Sequence, residues 1–507
     1  MLKFIKILPV LLLGIPAFVC AQESAAAQKV LDKLYKQNGN KIILKPKVVI
    51  TNDDRNAALY RRTKNSIEIS EKLLQACRKY GKDSSSALAF VLGHELSHAF
   101  QKDLKAKETS FLAYSSAENS SISHEEEADV SGGFLAYLAN YKTLEIIEPL
   151  IEDIYKEFDL EEKLYGYPSL EERKKTAAKV KRMIEELIHV YEAGNYFTAI
   201  GKYQLAVYCY EFINKWYKGR EIYNNLGVNY AYLALNFTSK NADAFVYPLE
   251  LEWNTRLKKP SLARGDLLSK PEMLLRQEYL SNSEKNLIEA SVIDPEMFTT
   301  NLNIMTVFVL KGQFLEALDY YRTNELIKKS NLFVADNKEK EQLRLILALA
   351  YEGAGQKDNS KKIWNDISQT SSSVFAEQAA YNLKVMDNLP VNPSQESCFK
   401  FPEASKTIDG VRLQKWQPQE KYITLNEKEK IEISIIKLSQ STIYSVKTPT
   451  YKLNMQRIYG SWKVKNSNLK KVRSNLLITG GSVYHCEMDR YAVLIDAKNV
   501  VTEYVKY

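Results

Sequence analysis

Two histidines four residues apart, His94 and His98, flank Glu95 in the run His94-Glu95-Leu96-Ser97-His98. On a helix such positions share a face, so both imidazoles can be offered to one metal ion with Glu95 beside them. A zinc ion held there brings the pKa of its water to about 7, and a carboxylate can take that proton as the water attacks a carbonyl carbon. A third ligand is needed. No His-x-x-Gly-x-x-His continuation follows, because the chain reads Ala99-Phe100-Gln101-Lys102-Asp103-Leu104. The run His124-Glu125-Glu126-Glu127-Ala128-Asp129-Val130-Ser131-Gly132 supplies a carboxylate instead. Glu125 and Asp129 again share one helical face, Glu125 as the third ligand and Asp129 to fix the tautomer of a ligating histidine. The pattern therefore predicts one zinc ion per chain on His94, His98 and Glu125, with Glu95 as general base.

The elements that must position these groups are legible around them. Ser84-Ser85-Ser86 offers an N-cap to a helix running through Phe100, and Ala87-Leu88-Ala89-Phe90-Val91-Leu92 makes that helix apolar. A helix so apolar is buried, and burying two imidazoles and a carboxylate without partners is costly, which argues against incidental surface histidines. Upstream, Lys47-Val48-Val49-Ile50-Thr51 reads as a strand ending in the turn Asn52-Asp53-Asp54. Ser66-Ile67-Glu68-Ile69-Ser70 alternates like a half-buried strand. It is expected to be an edge strand, with Ile67 and Ile69 on the segment that aligns an extended substrate by backbone pairing.

Bulk properties narrow the classes. The 70 basic and 62 acidic residues leave a formal charge of +8 with no long basic run, so nucleic acid is not an expected partner. Lys3 and Lys6 precede an apolar stretch from Ile7 to Val19, ending Val19-Cys20-Ala21-Gln22. This reads as a signal peptide, residues 1–21, cleaved after Ala21. Lipid anchoring at Cys20 is the minor alternative, since Ala17-Phe18-Val19 fits a lipoprotein box poorly. The mature chain is expected outside the cytoplasm, periplasmic or secreted, with no transmembrane anchor. In an oxidising compartment Cys398 and Cys486 could pair. No C-x-x-C spacing exists, which argues against thiolate ligation of zinc.

Three regions are expected after the signal. Residues 22–180 carry the chemistry. Residues 181–390 read as helical throughout, with a tetratricopeptide-like repeat of about 34 residues. Gly312, Phe314, Ala317 and Tyr321 mark its clearest unit, and Leu347, Ala348, Tyr351, Gly355 and Trp364 repeat most of it. Gly194, Tyr196, Ala199 and Tyr203 match a turn and second helix, and Leu226, Gly227 and Tyr230 match a first helix. Past Pro390-Val391-Asn392-Pro393, residues 391–507 change composition. Runs such as Ile431-Glu432-Ile433-Ser434-Ile435 and Tyr491-Ala492-Val493-Leu494-Ile495 alternate as strands.

Taken together, the apolar helix ending in His-Glu-x-x-His and the later Glu-x-x-Ala-Asp-x-x-Gly resemble the BepA/HtpX-like zinc metallopeptidases, metallopeptidase family forty-eight. Glu125 to Gly132 match the second pattern in full. Asn56-Ala57-Ala58-Leu59 resembles the family's Asn-Ala-Phe-Ala element. Where the family has a histidine before proline and an arginine six residues later, this chain has Tyr167-Pro168 and Arg173. The arginine is kept. The Tyr167 hydroxyl can donate one hydrogen bond in place of the histidine, and the exchange equally fits a lowered or altered activity.

The chain is expected to be multidomain and mainly α: the resemblance implies an α+β gluzincin-type metallopeptidase domain, the repeats a TPR-like α-solenoid, and the alternating tail, for which the resemblance does not account, a small C-terminal β-rich domain. The resemblance implies an endopeptidase acting on misfolded or misassembled cell-envelope proteins, with protein or peptide substrates and an envelope-protein partner on the repeat face. The competing reading is a latent peptidase that serves as a repeat-based chaperone or scaffold.

Overall fold

The alternating residues after Lys45 form three short strands, β1 (Lys47–Thr51), β2 (Ala58–Arg61) and β3 (Ser66–Ser70). In this computed structural model the described residues are 14–53, 55–101, 119–160, 169–237, 245, 269–324, 337–370, 374–389, 422–437, 441–463, 482–486, 490–495 and 500–507. β2 and β3 form a hairpin with Ala58 opposite Ile69 and Arg61 opposite Ser66. Asn65 takes the left-handed conformation in its turn (φ 46°), which asparagine tolerates better than most residues. β1 lies parallel on the other side of β3, Lys47 opposite Ser66 and Thr51 opposite Ser70. The order is β1-β3-β2. Ile67 and Ile69 therefore sit on the central strand with no solvent exposure, and the expected edge strand is corrected to an interior one. Period-two alternation reports a buried face, not whether a neighbour pairs on each side. The neighbour β2, Ala-Leu-Tyr-Arg, is too short and too little alternating to announce itself.

Among the described residues six α-helices complete the first compact unit, which spans Met1–Ile188. They are α1 (Gly14–Asn38), α2 (Glu71–Arg78), α3 (Ser84–Phe100), α4 (Asn119–Leu138), α5 (Ile147–Glu157) and the first part of α6 (Leu170–Ala199). α1 carries the chain through Ala21-Gln22, while residues 1–13 lie outside the described ones. Ser70 closes β3 and caps α2, its hydroxyl accepting from the Leu73 amide at 3.2 Å. α3 is buried from Ser86 to Ser97, as its apolar run requires. It meets α4 backbone to backbone: a Cβ on Gly93 would stand 2.5 Å from the Gly132 carbonyl oxygen, and one on Gly132 would strike the Gly93 carbonyl carbon and His94 nitrogen. Among the described residues no helix is long and apolar enough to cross a membrane.

The second unit spans His189–Tyr507, so the boundary lies at 188 and the expected repeat and tail regions share one unit. Its helices are the end of α6, α7 (Tyr203–Asn214), α8 (Arg220–Leu235), α9 (Lys270–Ile293), α10 (Phe298–Leu310), α11 (Phe314–Thr323), α12 (Asn337–Gly353), α13 (Lys357–Thr370) and α14 (Val374–Met386). Three helices end alike. Gly201, Gly312 and Gly355 adopt φ of 73–77°, and the next residue donates five positions back, Lys202 to Phe197, Gln313 to Phe308 and Gln356 to Tyr351, at 2.8–2.9 Å. Gly194 instead lies inside α6, where it gives room to Cys209 and Tyr210; the turn comes at Gly201.

The described residues of the tail form seven strands: β4 (Tyr422–Asn426), β5 (Ile431–Lys437), β6 (Ser441–Lys447), β7 (Lys452–Lys463), β8 (Ser482–Cys486), β9 (Tyr491–Ile495) and β10 (Val500–Lys506). They make an antiparallel sheet in the order β4-β5-β6-β7-β10-β9-β8. Cys398 lies outside the described residues, so its pairing with Cys486 does too. Arg457 fastens this sheet to α6. Its guanidinium forks onto Glu503 at 2.7 and 2.9 Å, reaches Glu192 at 3.0 Å and lies 4.9 Å over the Tyr196 ring. Tyr444 donates to Glu192 at 3.0 Å. Burial pushes the Glu192 carboxyl up, but His189 and Arg457 outweigh it and hold the group down at about 2.

Two stability outcomes follow. Gly132→Ala forces two backbones apart and costs about 1–3 kcal/mol, measured by chemical denaturation of the full chain. Arg457→Met leaves the half-buried Glu192 and Glu503 without their cation and costs about 1–3 kcal/mol. The Glu192 part of that stabilisation is present above its unfolded pKa and is lost as pH falls toward about 2, so the wild-type advantage measured at neutral pH shrinks in acid.

Candidate metal centre

The antiparallel crossing at Gly93 and Gly132 sets the geometry of everything near it. One residue past Gly93 on α3 comes His94, and one further turn brings His98; the matching stretch of α4, read backwards from Gly132, presents Asp129 and Glu125. His94 Nε2 lies 3.0 Å from His98 Nε2 and 3.3 Å from Glu125 Oε2. His98 Nε2 lies 3.4 Å from that same oxygen. These three atoms form the one candidate metal-holding group among the described residues. Donors about 2.0–2.1 Å from a tetrahedral zinc ion stand about 3.4 Å apart, so the triangle fits such an ion. Its chemistry fits as well, since two imidazole nitrogens turned toward each other repel unless a cation or a proton lies between them.

The outer contacts fix which nitrogen faces inward. His94 Nδ1 is 2.8 Å from Asp129 Oδ1, so it carries the proton given to the carboxylate and turns Nε2 toward His98 and Glu125. Asp129 Oδ2 faces Arg173 at 3.5 Å. Arg173 stands in the first turn of α6, located by a capping box in which Ser169 and Glu172 exchange hydrogen bonds at 2.8 and 3.3 Å. His98 Nδ1 meets Gln101 Oε1 at 3.0 Å. Glu95 Oε2 accepts from the Tyr60 amide at 2.7 Å, while Oε1 has no hydrogen-bond partner among the described residues.

Electrostatics follow burial. His94 and Glu95 have no solvent exposure, and Glu125, Asp129 and Arg173 retain 3–6%. Burial alone would lower the His94 imidazole, but Asp129 and Glu125 outweigh it and raise the group to about 10. Burial pushes Glu95 up, with His94 and His98 opposing. Glu125 is pushed up by burial and pulled further down by both histidines, ending well below the usual carboxylate range.

Of the residues singled out from sequence, His94, Glu95, His98, Glu125, Asp129 and Arg173 come together here. Ile67 and Ile69 do not; they lie in the interior of the sheet. Tyr167 lies outside the described residues. Sequence reasoning passed over Gln101, whose signal was a polar side chain three residues after His98 at the end of an apolar helix. It also passed over Tyr60, which acts through its backbone and gives no side-chain signal.

Residues 21–152 match the model of Peptidase family M48. The match contains the His94, His98 and Glu125 cluster and stops short of Arg173 and of the whole second unit. No curated protein matches the chain.

Because ligands must be deprotonated, metal uptake displaces the proton that Asp129 and Glu125 keep on His94. Zinc binding at neutral pH is expected to release protons, and apparent affinity to rise with pH by up to about tenfold per unit for each proton displaced. Titration calorimetry in buffers of different ionisation heat counts those protons; a count of zero would contradict the protonated His94.

Proposed function

We propose that the Peptidase family M48 domain at residues 21–152 makes this chain a zinc-dependent endopeptidase that hydrolyses peptide bonds. The single observation that carries the reading is the donor triangle of His94, His98 and Glu125, each side 3.0–3.4 Å, with a buried carboxylate, Glu95, beside it. A bound zinc ion supplies acidification of a water molecule and polarisation of the scissile carbonyl. Glu95 takes the proton of the attacking water and returns it to the leaving amine. Asp129 keeps the His94 tautomer, and Arg173 holds Asp129. Tyr167 would donate to the developing oxyanion in the place where the resemblance puts a histidine.

The substrate would lie along β2 and not along β3. The Ser70 amide donates to the Ala57 carbonyl at 2.9 Å, which puts Ala57, Leu59 and Arg61 on the β3 side of the ladder. The backbone groups of Ala58 and Tyr60 therefore face the other way, where no strand pairs among the described residues and the Tyr60 amide is already held by Glu95. An unpaired edge is a template for an extended chain.

Export, as the N-terminal apolar stretch suggests, would place this activity in the cell envelope, on misfolded or misassembled proteins. The helices of the second unit would act as TPR-like repeats that bind substrate or partner. A second reading, a latent peptidase acting as a chaperone or scaffold, is favoured by one observation: Glu95 is fully buried and its carboxylate is already engaged by the Tyr60 amide.

Glu95→Gln is expected to bind one zinc ion per chain as the wild type does and to lose casein cleavage by about 10²-fold or more. Metal analysis and a proteolysis assay check both. Unchanged turnover in the variant would sink the assignment of Glu95. Zinc without cleavage in the wild type would select the latent reading.

A further inference from the structure

We propose that Gln101 is a positioning residue of the metal centre: it holds His98 in the ligating tautomer and ties the end of α3 to the ligand-bearing turn of α4. The inference rests on the reading that His94, His98 and Glu125 hold zinc.

The two histidines are supported differently. His94 has a buried carboxylate behind it, Asp129 at 2.8 Å. Behind His98 the partner is the neutral side-chain oxygen of Gln101 at 3.0 Å. An imidazole with no acceptor at Nδ1 exchanges freely between tautomers and rotates about its own bonds; an acceptor there keeps the proton on Nδ1 and the lone pair of Nε2 turned inward.

Gln101 is well placed for this. It is the first residue beyond α3, with extended backbone (φ −68°, ψ 123°), and its amide still donates to the Ser97 carbonyl at 3.1 Å. Its side chain consequently starts from a fixed point one turn past His98. The same side chain donates through Nε2 to the His124 carbonyl at 3.5 Å, the residue before Glu125. Arg62, just after β2, reaches the Gln101 carbonyl at 3.4 Å. An amide side chain can accept from one helix and donate to the other at the same time. Gly93 and Gly132 fix the separation of α3 and α4 on one side of the ligands, and Gln101 fixes it on the other.

A plain helix-ending role makes a different prediction. That role belongs to the Gln101 backbone amide, which any substitution except proline keeps, so it leaves zinc affinity unmoved.

The experiment uses the full-length chain, measuring zinc affinity by competition with a chromophoric chelator and the visible spectrum of the cobalt-substituted protein. Gln101→Met and Gln101→Ala are expected to weaken zinc by about 10–100-fold and to reduce the absorption of tetrahedral cobalt, with the melting temperature of the zinc-free protein unchanged. Gln101→Glu keeps the acceptor for His98 and is expected to recover most of the affinity. Wild-type affinity and spectrum in both Gln101→Met and Gln101→Ala would overturn the proposal, as would a Gln101→Glu variant no better than Gln101→Met. A wild-type chain that takes up no zinc would instead overturn the metal reading itself, a result distinguishable because it appears before any substitution is made.

Discussion

At Gly93 and Gly132 two helices touch through their backbones, and neither residue can carry even a methyl group without collision. This contact comes before the metal site in the order of causes. Ligand atoms must lie within a few tenths of an ångström of one another, and long side chains alone do not hold such tolerances unless their helices are held first. With the backbones in contact, His94 and His98 on α3 and Glu125 and Asp129 on α4 need only ordinary rotamers to converge. Burial of α3 from Ser86 to Ser97 then removes the remaining freedom, because an apolar helix surrounded on all sides has one position that fills its surroundings.

Much of this was legible in the sequence because the chemistry sits on helices. Positions four apart on a helix face the same way whatever the rest of the chain does, so His94 with His98, and Glu125 with Asp129, could be paired before any fold was known. Strands carry less information. Ile67 and Ile69 alternate as a buried face does, but pairing on both edges of β3 depends on β1 and β2, which lie at a distance in sequence for the parallel partner. Glycine is ambiguous for a related reason: it serves both tight turns and close packing. Gly194 was read as a turn, yet it makes room for Cys209 and Tyr210 inside α6, while Gly201 turns the chain.

Two contributors were invisible for physical reasons. The Tyr60 amide that engages Glu95 is a backbone group, identical at every residue but proline, and only the direction of β2 makes it special. The Arg457 clasp joins a strand to a helix more than two hundred residues earlier. No local pattern encodes such a contact, and composition alone suggested a separate tail. What composition could not weigh was the cost of leaving Glu192, Glu503 and Arg457 unpaired in a buried place.

The charges around the metal centre follow one further constraint. A buried cluster tolerates little net charge, since each uncompensated ion loses its hydration. With a zinc ion bound, its two positive charges and that of Arg173 balance Glu95, Glu125 and Asp129. With no metal, Asp129 and Glu125 raise the proton affinity of His94, and burial raises that of Glu95. Arg173 matters in both states, because without it Asp129 would be a surplus anion behind His94. Metal uptake is thus a competition with a proton for His94. The donor triangle already has the dimensions of a tetrahedral ion, and both histidines favour the charged form of Glu125 against the cost of its burial.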